Sequence, residues 1–281
     1  MIIVKVWGGI GNQLFQYVFG QYLKYKYGQE VYYDDNSFIS TDKLRKPELY
    51  AVDKNLRYDN RCNFSKTRGV KNRILRCIFQ IHPKHHYIAE GSPIPLNYKA
   101  DHVYFFQGYW QDIKFYEWLH TNVSSFVVRS QEWPTELAEI RKQIELTENS
   151  VSIHIRRGDY FKPENIKKFG VCDAKYFEKC LLYTSTKRKS YRLFVFSDDI
   201  TWVEGNLQLP ENTVIVPNYE VSQFAYIELM SLCRDHIISN SSFSWWAAVL
   251  NAQEDNIVLC PNKWILTSDS TIALNKWVKI Q

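Results

Sequence analysis

Apolar residues come along this chain in short runs that stop at glycine, paired aspartate or serine, and the runs alternate with stretches of helical period. Residues 2 to 7 read as a buried strand, Gly8-Gly9-Ile10-Gly11 as a turn, and residues 12 to 27 as a helix that turns Leu14, Phe15, Val18 and Leu23 toward a core. A second strand covers Val31 to Tyr33 and ends at Asp34-Asp35, completing a β-α-β opening. From Lys43 to about Asn97 the pattern thins into polar, proline-containing and basic segments, with Val70, Ile74, Ile78 and Ile81 at helical spacing. Residues 134 to 148 read as a charged helix that runs into a polar boundary at Glu148-Asn149-Ser150. Beyond it the alternation resumes, with strands at 151–156, 192–197, 213–216, 235–239 and 256–260 and helices at 173–185, 221–233 and 242–252. Such alternation predicts parallel, doubly wound sheets: an α/β protein of two Rossmann-like domains, 1–149 and 150–281, whose sheets face each other across a cleft.

Composition adds exclusions. At 281 residues, 45% hydrophobic and 23% charged, the chain is an ordinary globular protein long enough for two domains. A net charge of +5 is too mild for a nucleic-acid-binding surface. The six cysteines show no C-x-x-C spacing, which argues against a zinc site or a disulfide framework and for a reducing compartment. The first residues lack the length and cleavage site of a signal peptide, and no apolar run is long enough to span a membrane, so a cytoplasmic location is expected. One local charge bias stands out: between Arg61 and Ala89 there are seven Lys or Arg residues and no acid. A basic amphipathic helix here can pack on its domain with a solvated outer face, or lie peripherally on an anionic membrane.

Candidate chemistry gathers at strand ends. Val151, Ile153 and Ile155 alternate with Ser152, His154 and Arg156, and the strand then runs out through Arg157, Gly158 and Asp159. Two guanidiniums at a strand's carboxyl end can grip a diphosphate bidentately, with Asp159 near enough to fix one of them and Gly158 turning the chain. The strand 192–197 stops at Asp198-Asp199, one of which can accept from a ligand while the other caps the next helix. A third strand, His236 to Asn240, leads through Ser241 and Ser242 into a helix whose start is a natural phosphate site. The amino-terminal glycine turn looks like a dinucleotide fingerprint but has Leu14 in place of the third glycine, which argues against nicotinamide or flavin. No D-x-D occurs anywhere, so no metal is expected and the arginines must neutralise any diphosphate.

Four of these segments, GGIGNQLFQY (8–17), HIRRGDY (154–160), FVFSDD (194–199) and SNSSFSWWAAVL (239–250), together resemble the signatures of the α-1,2-fucosyltransferases of glycosyltransferase family 11. The match in order and spacing runs from residue 8 to about residue 250, while residues from about 40 to 135 carry no signature. The resemblance implies a GT-B-like fold with an acceptor-side amino-terminal domain and a carboxyl-terminal domain that binds GDP-fucose. It also implies inverting, metal-independent galactoside 2-α-L-fucosyltransferase activity on a glycan or lipid-linked oligosaccharide such as an O-antigen precursor, with no cofactor beyond the donor. Carried over by position, Arg156 binds the β-phosphate, Asp159 shapes the same site as the carboxylate that orients an arginine, these two being the candidate catalytic residues with no base assigned, and His154 and Asp198 approach the guanine. Ser241, Ser242 and Phe243 line the phosphate and nucleoside pocket, Arg157 shapes the same site, and Gly9, Gly11 and Asn12 face the donor across the cleft. The alternative is a noncatalytic nucleotide-sugar or glycan-binding protein. A protein O-fucosyltransferase fits less well, because no secretory signal is seen.

Overall fold

A computed structural model of the protein describes residues 1–123, 133–158, 165–167, 170–266 and 271–281. The chain divides into two units, Met1–Arg129 and Ser130–Gln281. This division falls ahead of the boundary expected at 149. The charged helix α5 (Thr135–Glu145) therefore belongs to the second unit, where Glu136 lies within electrostatic reach of Tyr226. In the numbering used here, helices α1 (Ile10–Tyr27), α2 (Asn36–Ser40), α3 (Gly69–Ile81) and α4 (Ile113–Asn122) belong to unit 1.

Unit 1 is built on a parallel sheet of order β2-β1-β4-β3, formed by β1 (Ile2–Lys5), β2 (Val31–Asp34), β3 (His85–Ala89) and β4 (Val103–Gln107). All four residues of β1 are buried because both faces of the sheet are covered. On one face Ile3 and Phe105 pack with Cys62 and Phe64, and α3 adds Leu75 and Phe79. Elsewhere Phe19 of α1 stacks on Trp110 at 4.0 Å and meets Phe115 of α4 edge-on at 4.9 Å. The close helix-to-strand approach that a fingerprint glycine would provide at position 14 occurs at Gly20, where a Cβ would collide with the Tyr33 hydroxyl.

Unit 2 carries α5, α6 (Ala174–Lys187), α7 (Ile200–Asn206), α8 (Gln223–Ser231) and α9 (Ser242–Val249). Its strands are β5 (Ser150–Ile155), β6 (Arg192–Ser197), β7 (Val214–Ile215), β8 (Asp235–Ile237), β9 (Val258–Pro261) and β10 (Val278–Ile280). They form a second parallel sheet, of order β10-β9-β8-β5-β6-β7. Val151, Ile153 and Ile155 on one side of β5 join Tyr176, Phe177 and Cys180 of α6 and Val203 of α7 in the core. The alternate residues Ser152 and His154 turn the other way, bonding toward His236 and Ser239. Trp245 and Trp246 of α9 are wholly buried, as packing against a sheet requires. At the opposite edge from the site, Arg188 grips the buried Asp235 carboxylate with two hydrogen bonds of 2.7 and 3.0 Å.

Both sheets are parallel and both units are α/β, the GT-B-like class expected from the sequence. Among the described residues, no helix is long and apolar enough to cross a membrane.

Candidate active site

The order of the second sheet locates its ligand edge. β5 comes first in sequence but lies inside the sheet, with β6 and β7 on one side and β8, β9 and β10 on the other. Open α/β sheets bind ligands beyond the carboxyl ends of their strands where the order reverses in this way. The exits of β5, β6 and β8 carry the residues singled out by sequence: Arg156 and Arg157, Asp198 and Asp199, and the run from Ser239 to Phe243.

Their pairing is specific. The Arg156 guanidinium meets Asp198 Oδ2 at 2.6 Å, and the backbone N–H of Arg157 donates to Asp198 Oδ1 at 2.8 Å. Both oxygens of Asp198 thus accept from the exit of β5. Gly158 permits this approach, because a Cβ there would stand 2.7 Å from Asp198 Oδ2. The two arginines are not equivalent. Arg157 donates through Nε to Asp199 Oδ2 at 3.2 Å and sits over the Trp202 ring, 3.8 Å from its centroid, held toward α7. Asp199 also caps α7, accepting from the Trp202 N–H at 3.1 Å, so one of the paired aspartates is a helix cap as expected. Each arginine is thus held by one of the paired aspartates, Arg156 by Asp198 and Arg157 by Asp199.

On the β8 side, His154 Nδ1 bonds to Ser239 Oγ at 3.1 Å and its ring lies 5.3 Å from Phe243. Burial, reinforced by the Arg156 charge, pushes the His154 imidazole down to about 3, so it is neutral and lends no charge to an anion. Ser241 caps α9 by accepting from the Phe243 N–H, and the start of this helix lies at the same edge, where its dipole favours an anion. Nearby, burial pushes the Cys172 thiol up to about 12 and carries Tyr176 well above its usual range, which keeps both protonated at neutral pH. Asp159 lies outside the described residues.

The glycine turn of unit 1 is stitched by glutamines that the sequence reading passed over. Gln13 donates to Gly8 O and Lys46 O and accepts from Glu48 N–H, while Gln16 accepts from Trp7 N–H and donates to Gly108 O. Much of the polarity of the GGIGNQLFQY segment is therefore structural. Gly9 precedes α1 and Gly11 is buried in its first turn; Asn12 is part-exposed and accepts from the Gln111 amide at 2.8 Å. Gly8 has a φ of +84° and its N–H donates to Asp42 at 2.7 Å. Beside Asn12, the rings of Trp7 and Tyr109 sit 4.9 Å apart at the carboxyl ends of β1 and β4. That is the reversal point of the first sheet, and an exposed aromatic there offers a sugar ring a stacking face. The sequence signal was only an excess of aromatics, since the adjacency depends on β1 pairing with β4.

The family profile of glycosyl transferase family 11 matches residues 83–281, which include all three strand exits of unit 2. The chain belongs to glycosyltransferase family 11. It is 30% identical to the O-antigen biosynthesis glycosyltransferase WbnK of Escherichia coli, covering 97% of this chain and 98% of that one. It is 29% identical to an alpha-1,2-colitosyltransferase of Escherichia coli over 100% of this chain and 99% of the relative, so that likeness takes in the amino-terminal glycine segment too. Among solved structures, fucosyltransferase NodZ from Bradyrhizobium aligns with a TM-score of 0.53 at 12% identity, covering 90% of this chain and 95% of its own. The family 11 chain is thus a glycosyltransferase of the fucosyl- and colitosyltransferase type.

Proposed function

We propose that this family 11 enzyme is an inverting α-1,2-fucosyltransferase that moves L-fucose from GDP-fucose to the 2-hydroxyl of a galactoside in an O-antigen-type glycan. The observation that carries the reading is the Arg156–Asp198 pair at the order reversal of the second sheet, in a chain that matches WbnK almost end to end. Breaking the bond between fucosyl C1 and the phosphate oxygen leaves the electron pair on GDP and cationic character on the sugar. The acceptor oxygen forms its bond to C1 from the opposite face, and its hydroxyl proton passes to water or a base. A guanidinium aimed at the departing phosphate stabilises charge as it develops, an effect worth about 3 to 4 kcal/mol for one oriented donor. Arg156 has that task and the α9 start receives the remaining phosphate charge. The reaction then needs no divalent ion.

For Asp198 the hydrogen bonds favour a positioning role beside the guanine contact that the family resemblance implies. Its two oxygens accept from Arg156 and Arg157, which supports the reading that it aims the Arg156 guanidinium. A second donor reading is favoured by the colitosyltransferase relative, whose full-length likeness is nearly as high as that of WbnK. The deciding experiment incubates the enzyme with GDP-fucose or GDP-colitose and a panel of β-galactosides, followed by linkage analysis of the product. An α-1,2-fucosylated galactoside is expected. Binding of GDP-fucose with neither transfer nor hydrolysis would instead identify a noncatalytic binding protein.

A further inference from the structure

Helix α3 has thirteen residues and not one of them is buried. It is nonetheless anchored along its inner side. The Asn72 amide donates to Phe64 O at 2.7 Å, the Phe79 ring meets Phe64 at 5.2 Å, and Arg76 lies over Tyr87 at 4.5 Å while donating to its hydroxyl. The outer side is a second apolar stripe. Val70, Ile74, Ile78 and Ile81 are 71%, 54%, 57% and 77% exposed, with Cys77 exposed among them. Their spacing of four, four and three residues puts them on one line down the helix. Lys71 and Arg73, both exposed, border that line on its two sides.

We propose that α3 is an interfacial helix that seats unit 1 on an anionic phospholipid surface, with the isoleucines among the upper acyl carbons and Lys71 and Arg73 at the phosphates. The inference stands on unit 1 alone and does not depend on the donor chemistry of unit 2. Charge selects the occupant. Helix α3 carries Lys71, Arg73 and Arg76 and no acid, so a second copy docking its own stripe would bring Lys71 and Arg73 against their like with no carboxylate on either helix to offset them. An anionic bilayer satisfies both the stripe and its cationic borders. The helix is about 20 Å long, which suits lying in the interface rather than crossing it.

The test uses the full chain with vesicles of phosphatidylglycerol and phosphatidylcholine, against phosphatidylcholine alone, at low and high ionic strength. Co-sedimentation with the anionic vesicles at low salt is expected. Ile74→Ser/Ile78→Ser and Lys71→Glu/Arg73→Glu should each weaken it at least about tenfold with unchanged thermal melting, since both the apolar face and the cations contribute. Should a variant fail to fold, the unaltered protein labelled at Cys77 with a polarity-sensitive fluorophore gives the same answer through a blue shift on anionic vesicles only. Wild-type protein that ignores anionic vesicles, or serine variants that bind as well as wild type, would overturn the proposal. So would a wild-type dimer that the serine variants convert to monomer, since a second copy would then cover the stripe.

Discussion

A methyl group at position 158 would press on the carboxylate that holds Arg156, although residue 158 itself is exposed and packs nothing. Gly158→Ala is therefore expected to lower kcat by about tenfold or more while leaving the melting temperature unchanged, because it disturbs the aim of the guanidinium and no core contact. Steady-state kinetics with thermal melting check both halves. Arg156→Lys keeps the charge but not the planar fork, and turnover should fall by about two orders of magnitude. Near-normal turnover in a folded Arg156→Lys protein would remove Arg156 from the mechanism. For Asp198→Asn the informative quantity is base selectivity. A positioning residue should cost turnover and leave the preference for GDP over ADP intact, whereas a guanine reader should cost GDP affinity by about 1.5 to 3 kcal/mol. Calorimetric titration with both nucleotides separates the two.

At the scale of elements, β5 and β8 are joined by side chains as well as by the ladder. Ser152 bonds to His236 Nδ1 at 2.8 Å, the Asn251 amide reaches His236 Nε2 at 2.9 Å, and His154 bonds to Ser239. Burial pushes His236 down to about 4 and His154 to about 3, whereas in the unfolded chain each titrates near 6.5. The unfolded state therefore binds more protons below pH 6.5. Stability from these two imidazoles is complete above that pH and declines as the pH drops toward their folded values, by on the order of 3 kcal/mol each at pH 4. Calorimetric melting of the protein should show this fall, and His236→Gln should flatten its share of the slope. At the other end of β8, Arg188→Ala would strand the buried Asp235 carboxylate, an event that typically costs about 3 to 5 kcal/mol. A large loss of melting temperature is expected there.

For the whole molecule, transfer is expected to persist in excess EDTA, as a diphosphate neutralised by Arg156 and a helix start requires no divalent ion. Complete loss on chelation with recovery on adding manganese would reverse that assignment. Much of the architecture was legible in the chain. Strands β5 to β9 announce themselves as short apolar runs, β6 and β8 cut off by Asp198-Asp199 and Ser239-Asn240, and α3 by its helical period, whereas the three-residue β10 is too short to show. β3, β4 and α4 were not legible, because their aromatics and histidines carry no clean alternation and their order is fixed by pairing with β1. Residue types at the site were equally visible, but their partners were not. Which aspartate holds which arginine follows from the register that sets Ile155 opposite Ser197, and register is a property of two strands.

The central position of β5 also matters while the chain is being made. β5 is the first strand of its sheet to be synthesised, β6 and β7 complete one flank soon after, and β8 to β10 come last. A nascent chain halted before β8 therefore exposes the unpaired edge of β5, the strand that leads into Arg156, and such open edges pair readily with neighbouring chains. Slow translation across residues 200–235 should cost soluble yield more than an equal pause elsewhere. A chain truncated before Asp235 should aggregate rather than survive as an inactive half-domain.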